Sequence, residues 1–437
     1  MITFFIAVSQ SFIDSGFSQA LIRKQDCSDT DLSTVFIFNF IVGCLFFAIL
    51  FLSAPAISNF YNEPQLTMLV RVLSVVLVID ALSMVQRTIL TRRIDFKLQT
   101  KISVIATVSS GVIGITMAFK GFGVWSLVAK TISQRVINSF LLWIWNKWIP
   151  KLIFSIDSFK NLFSFGSRLL VSGLMETAYQ NVYYLIIGKI FSAKELGYYT
   201  RADQFQKLPS SNINGIITRV SYPVLSKLQD DDAQLKAAFR KLIKSSMLIS
   251  FVLMFGLAAV AKPLVLTLIG EKWRNSIIYL QLLCFVGVQY PIHALNLNLL
   301  QIKGRSDLFL RLEIIKKVLV IPVILFGIFY GINAMIVGMA IFSAFAIFLN
   351  GYWTKRFINY SVITQIKDIF PSFLIALISA LIVSFAGYFL PLKSMYILII
   401  QLILGASIVI ALCELLNINE YREIKVIAKS YLLANNV

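Results

Sequence analysis

Eight charged side chains lie inside, or at the ends of, stretches that are otherwise apolar: Asp14, Arg71, Asp80, Lys130, Arg135, Arg168, Glu176 and Arg219. An ion at the centre of a membrane helix costs at least ~2.5–3.5 kcal/mol, so each is a candidate for binding or transport chemistry. Five of the eight are Lys or Arg. A basic set inside a membrane points to an anionic ligand, because guanidinium and ammonium groups hold phosphate through charge-assisted bonds, Arg often through two at once. Lys130 and Arg135 share a segment with Gln134 and Asn138, and the two amides lie four apart on one helix face. Gln180 and Asn181 sit beside Tyr179, Tyr183 and Tyr184, a grouping of amides and rings that suits sugars. The candidate cavity set is therefore Arg71, Lys130, Arg135, Arg168, Arg219, Gln134, Asn138, Gln180 and Asn181, with a phosphate-bearing lipid head group as the ligand class.

Plainer roles compete with these. Arg71, Arg168 and Arg219 can reach an interface by snorkelling, and Asp80 can be a simple partner of an arginine. His293 follows Pro291 in an apolar segment and reads as a packing residue rather than a proton carrier. No Walker A, GxSxG or HExxH motif occurs, and no outer loop is large enough to carry acidic catalytic residues, so the chain is not read as an enzyme. Cys27, Cys44, Cys284 and Cys413 form no CxxC or Cys/His cluster, which argues against disulfides, a metal site or a bound cofactor.

The elements that must position these groups are membrane helices. Of the 437 residues, 58% are hydrophobic and 14% charged, where a soluble domain is nearer a quarter charged. Apolar runs of about 20 residues, the length that crosses the hydrocarbon core, recur along the whole chain. They predict an all-α polytopic membrane protein with about thirteen helices, roughly over 1–22, 32–57, 66–90, 98–119, 122–146, 161–190, 202–226, 238–261, 274–301, 306–330, 332–354, 368–390 and 394–416. The first seven carry most of the buried charge; the last four are nearly all apolar and read as support. Net charge is +19, which in this setting reads as basic loops that fix orientation rather than as nucleic-acid binding. Lys and Arg divide 26 to 8 between alternate sides of the predicted helices. The richer side is therefore expected to be cytoplasmic, and the C-terminal tail falls on it.

That orientation leaves Met1 outside and suggests fourteen helices less a first one. The basic stretch KWIPKLIFSIDSFK divides the chain. The expected organisation is an N-terminal helical lobe over 1–148, a cytoplasmic linker over 149–160, a C-terminal lobe over 161–357, and two further helices with a tail over 358–437. Paired halves of this kind surround a central cavity in many transporters.

SQSFIDSGFSQALIRKQD (Ser9–Asp26), FSFGSRLLVSGL (Phe163–Leu174), ELGYYTRADQFQKLPSSNI (Glu195–Ile213) and YPVLSKLQDD (Tyr222–Asp231) resemble the Wzx/WzxC-like polysaccharide flippases of the multidrug/oligosaccharidyl-lipid/polysaccharide exporter superfamily. The resemblance covers nearly the whole chain. It implies two six-helix lobes around a central cavity with two trailing helices. It also implies export of undecaprenyl-pyrophosphate-linked oligosaccharide across a bacterial inner membrane, for surface polysaccharide such as lipopolysaccharide. Coupling to a proton or sodium gradient would follow, with Asp14, Asp80 and Glu176 as the acids available for it or for displacing cargo from arginine. Membrane lipids, a polysaccharide polymerase and glycosyltransferases are the partners implied. A multidrug or cation antiporter and a peptidoglycan lipid-precursor flippase of the same superfamily are rival readings. A membrane glycosyltransferase or polymerase, or a non-transporting scaffold, would be another class.

Overall fold

A computed structural model describes residues 2–14, 16–24, 26–93, 95–389, 392–423 and 425–426, less the side chains of some helical residues, mostly within 164–180 and 214–223. All regular structure among these residues is helical. Two compact units divide the chain, residues 1–193 and 194–437.

The first unit contains α1 (Ile2–Asp14), α2 (Phe17–Arg23), α3 (Asp29–Tyr61), α4 (Gln65–Arg92), α5 (Phe96–Phe119), α6 (Val124–Asn146) and α7 (Ile156–Ile190). The second contains α8 (Ala193–Ser226), α9 (Asp232–Leu268), a short 3-10 turn (Glu271–Trp273), α10 (Ser276–Gly287), α11 (Tyr290–Ile302), α12 (Ser306–Tyr330), α13 (Ile332–Ile358), α14 (Val362–Phe389) and α15 (Ser394–Leu415). Eight stretches are long and apolar enough to cross a membrane: α3, α4, α5, α9, residues 276–302 as one stretch, α13, α14 and α15. The chain is a multi-pass, all-helical membrane protein, and length and apolarity alone account for eight of the thirteen expected spans.

Two segments expected as single helices are broken. The run over 1–22 is divided between α1 and α2 at Gly16, whose φ of 69° is a left-handed conformation that glycine tolerates without steric cost. The run over 274–301 is divided at Val288–Gln289, just before Pro291, which lacks the amide proton needed to continue the helix.

Local polar chemistry sets where the helices of the first unit begin and how they sit. Ser28 and Asp31 form a reciprocal capping box at the start of α3, satisfying two otherwise orphaned amides. Ser33 and Thr34 of α3 accept hydrogen bonds from the backbone amides of Lys151 and Ser155 at 3.0 and 3.1 Å. The connection into α7 is thereby pinned to α3. Gly43 of α3 packs against Ala81 of α4 so closely that a Cβ at Gly43 would lie 2.7 Å from that of Ala81. Farther along α4, the fully buried Gln86 accepts from Asn146 Nδ2 at 2.6 Å and donates to the Trp148 carbonyl at 2.8 Å. These two anchors fix both the height and the rotation of α4, and with them its charged residues.

Candidate functional site

Asp80 and Arg87 lie on α4, each next to one of those anchors. Asp80 precedes the buried Ala81, and its side chain is 15% exposed. Gln10 of α1 donates to its Oδ2 at 2.6 Å. Arg135 of α6 brings Nη1 to 3.4 Å from its Oδ1. Arg87, one residue past Gln86, donates to Asn138 of α6 at 3.4 Å. Gln134, one helical turn from Asn138, donates to Thr107 of α5 at 3.1 Å. Sequence spacing placed Arg135, Gln134 and Asn138 on one segment, and the structure adds Asp80, Arg87 and Gln10 to that set.

Two cavities meet at these groups. One, of about 530 Å³, is lined by Ala7, Gln10, Ser11, Ile13, Ser18, Ile22, Asp80, Met84, Arg87, Thr88, Thr91, Arg135 and Thr177. Its walls are tied together by hydrogen bonds from Thr88 to Ser18 at 3.3 Å and between Ser11 and Thr177 at 3.1 Å. The other, of about 370 Å³, lies among α4, α5 and α6 and is lined by Arg87, Gln99, Ile102, Ser103, Gln134, Arg135, Asn138 and Leu142. Arg87 and Arg135 face both. Among the described lining residues, two guanidinium groups stand against one carboxylate, an excess of positive charge, and the remaining polar groups are amides and hydroxyls. Such a lining can hold an anion through Arg while the amides and hydroxyls bond to sugar hydroxyls.

Other sequence-derived candidates lie elsewhere. Arg71 stacks its guanidinium over Phe51 at 4.9 Å and donates to the Phe51 carbonyl at 3.4 Å. It lies nine residues from Asp80 along α4, about 13 Å at the helical rise. Lys130 packs its stem against Gly114 of α5. Asn181 donates back to the Thr177 carbonyl at 2.8 Å. The backbones of Asp14, Arg168, Glu176, Gln180 and Arg219 are helical, and their side chains lie outside the described residues, as does that of Tyr179.

Sequence reasoning passed over Arg87, and it named His293 and Asn296 without their partners. Arg87 stands five residues from Arg92 at the end of α4 and counted as loop charge; its place on the same face as Asp80 emerges only with the helix in place. A second polar cluster sits in the other unit. His293 lies 3.0 Å from both Ser343 Oγ and Asn350 Nδ2, which gives its two ring nitrogens partners on α13. Asn296 bonds Gln365 at 3.0 Å and accepts from Thr354 at 2.5 Å. Helices α13 and α14, expected to be plain apolar support, thus contribute to a buried amide network. The four cysteines are unpaired, and burial raises the Cys27 thiol above its ordinary range.

Residues 1–278 match the family described as "Polysaccharide biosynthesis protein". The chain belongs to that family. Among its relatives, the teichuronic acid biosynthesis protein TuaB of Bacillus subtilis (strain 168) is 32% identical over 306 residues, covering 69% of this chain and 62% of TuaB. The lipopolysaccharide biosynthesis protein WzxC of Escherichia coli (strain K12) is 29% identical over 328 residues, covering 74% of this chain and 66% of WzxC. The chain therefore matches less than two thirds of the length of either relative. Its fold is similar to that of a lipid II flippase, MurJ, in an inward closed conformation, with a TM-score of 0.75 and 16% identity over 97% of this chain and 91% of MurJ. A multidrug resistance MATE family transporter of the MOP superfamily, inward-facing, aligns with a TM-score of 0.65 and 17% identity over 82% of this chain and 88% of the transporter. This polysaccharide-biosynthesis family member thus has the fold of MOP-superfamily transporters.

Proposed function

We propose that this chain is a flippase that carries undecaprenyl-pyrophosphate-linked oligosaccharide from the cytoplasmic to the outer leaflet of a bacterial inner membrane, by alternating access. The observation that carries the proposal is the paired guanidinium groups of Arg87 and Arg135, facing a cavity that also holds Asp80, Gln10 and Ser11. In this reading the guanidiniums take the pyrophosphate, the hydroxyl and amide groups take the first sugars, and the polyprenyl tail stays in the bilayer. Asp80 is the internal anion: it holds Arg135 when cargo is absent, and reclaims it as cargo leaves. The side with 26 of the loop cations is the cytoplasmic one. Family membership supports the link to polysaccharide, and the transporter fold supports movement rather than catalysis.

Arg135→Ala tests the proposal. Loss of a charged hydrogen-bonding partner is worth about 1.5–3 kcal/mol, so surface polysaccharide at equal protein level should fall roughly ten- to a hundredfold. Unchanged polymer overturns the reading.

A further inference from the structure

The cavity among α4, α5 and α6 differs from its neighbour in one decisive respect. Among its described lining residues the charged ones are Arg87 and Arg135, with no carboxylate; Asp80 faces the larger cavity. Its other polar lining, Gln99, Ser103, Gln134 and Asn138, is neutral. Its apolar lining is rigid: Ile102 and Leu142 belong to a buried cluster with Leu90, and Leu98, Leu141 and Trp145 pack against it.

Position along the helices matters as much as charge. Gln99 is three residues from the start of α5 and Arg87 five from the end of α4, so this cavity begins about one turn inside the helix ends. Those ends carry Arg92, Arg93, Lys97 and Lys101, with Lys101 Nζ 4.9 Å from the Trp145 ring. Arg135 lies eleven residues from the end of α6, roughly 16 Å deeper. Polar groups therefore descend from the basic end of the unit to Arg135. The same two helices carry exposed apolar side chains: Val104 and Val108 on α5, Val136 and Phe140 on α6. A basic rim, a neutral polar slot with two guanidiniums, and an apolar outer surface together suit one chemical class, a lipid with a phosphate head and a hydrocarbon chain.

We propose that the α4–α5–α6 cavity is a separate binding pocket for a lipid phosphate, an entry station from which the head group passes to the Asp80 cavity without leaving Arg87 and Arg135. Since both guanidiniums face both cavities, the phosphate exchanges amide and hydroxyl partners while its ionic partners stay the same. The proposal rests on the reading above only in taking the cargo to be an anionic amphiphile.

The test is a binding measurement that requires no transport. The full chain in phosphatidylcholine nanodiscs is titrated calorimetrically with farnesyl phosphate and, separately, with inorganic phosphate. Ser103→Trp fills this cavity from α5 and leaves the lining of the larger one untouched. It should raise the farnesyl phosphate dissociation constant about tenfold or more, as charge-assisted bonds are lost. The Gln99→Leu/Asn138→Leu pair, which removes the two amides while adding far less bulk than tryptophan, should weaken binding in the same direction and guards against a folding defect in the tryptophan variant. Val112→Trp, on the exposed face of α5 away from both cavities, should leave affinity unchanged. Unaltered affinity in both cavity variants overturns the pocket. Inorganic phosphate binding as tightly as farnesyl phosphate overturns the lipid assignment. Normal polymer in the Arg135→Ala strain would sink the flippase reading, and this titration would still stand as a separate result.

Discussion

Asp80 is the residue on which the chemistry of the site turns. Among the described lining residues of the two cavities it is the one carboxylate, and it contacts a guanidinium that would also have to hold cargo. Asp80→Asn keeps the size of the side chain but removes its charge. Arg135 then loses its internal competitor, so farnesyl phosphate should bind roughly three- to tenfold tighter, the range expected for removing one partly screened charge interaction. Export should fall, because release loses its driving partner. Titration of the nanodisc protein together with surface polymer would show both; weaker binding would mean that Asp80 supports the anion site rather than opposing it. At this scale the sequence was informative where charge interrupts an apolar run. Arg135 and Asp80 stood out for that reason, and Gln134 and Asn138 by their four-residue spacing beside Arg135. Gln10 did not, because its importance lies in a partner 70 residues away, and neutral amides are common in membrane helices. Arg87 was hidden by its closeness to a basic loop, where a cation ordinarily reports topology.

Helix by helix, the site depends on how closely α4 can approach its neighbours. Gly43 is the contact that admits Ala81, and so sets the height of Asp80. Gly43→Val would force α3 and α4 apart. Overpacking of this kind costs about 1–3 kcal/mol, which should appear as a lower midpoint in thermal unfolding of the detergent-purified protein. Gly111→Ala, on α5 where an added Cβ meets nothing within 4 Å, should leave that midpoint the same or slightly higher, by at most about 1 kcal/mol. Equal loss in both variants would mean that the α3–α4 contact is not the sensitive one. Apolar run length made the helices readable in advance, because the bilayer imposes it. The breaks at Gly16 and Val288 were not read: hydropathy averages over a window, and one left-handed residue or one missing amide proton barely changes an average.

Six hydrophobic clusters among the described residues each fall within one of the two units. The clusters built on Val70, Leu77 and Ala81, on Phe17 and Leu21, and on Leu90, Ile102 and Leu142 lie within residues 1–193. Those built on Leu248 and Ile375, on Val260 and Val383, and on Leu300, Leu308 and Leu312 lie within residues 194–437. A chain cut between Ile190 and Ala193 severs none of these six clusters. Residues 1–193 and 194–437, produced separately in membranes and purified, should therefore each keep helical circular dichroism and a cooperative thermal transition. Loss of helix in either half would show that its core needs the other. In the second unit, an ion pair at 2.8 Å between Lys241 and Glu423, and another between Lys244 and Glu420, fasten the segment after α15 to α9. The exposed Lys241–Glu423 pair contributes little, and salt weakens it before the more buried Lys244–Glu420 pair.

The joint between α10 and α11 has one more implication. A helix interrupted inside lipid leaves carbonyl oxygens with no amide to meet them, and the hydrocarbon offers no water in their place. Here the Val288 carbonyl receives the Ser250 hydroxyl of α9 at 3.0 Å, and the Gln289 amide reaches back to the Phe285 carbonyl at 2.8 Å and across to that of Ala340 on α13 at 3.3 Å. The Val288 and Phe285 carbonyls at the interruption are thus bonded by two side chains, Ser250 from α9 and Gln289 from the joint itself. Side-chain bonds of this sort can lengthen, swivel and re-form as a helix bends, which a rigid backbone ladder cannot do. The interruption is therefore a joint whose carbonyls are held by side chains rather than by the backbone ladder, the kind of place at which one half of a helix can turn against the other.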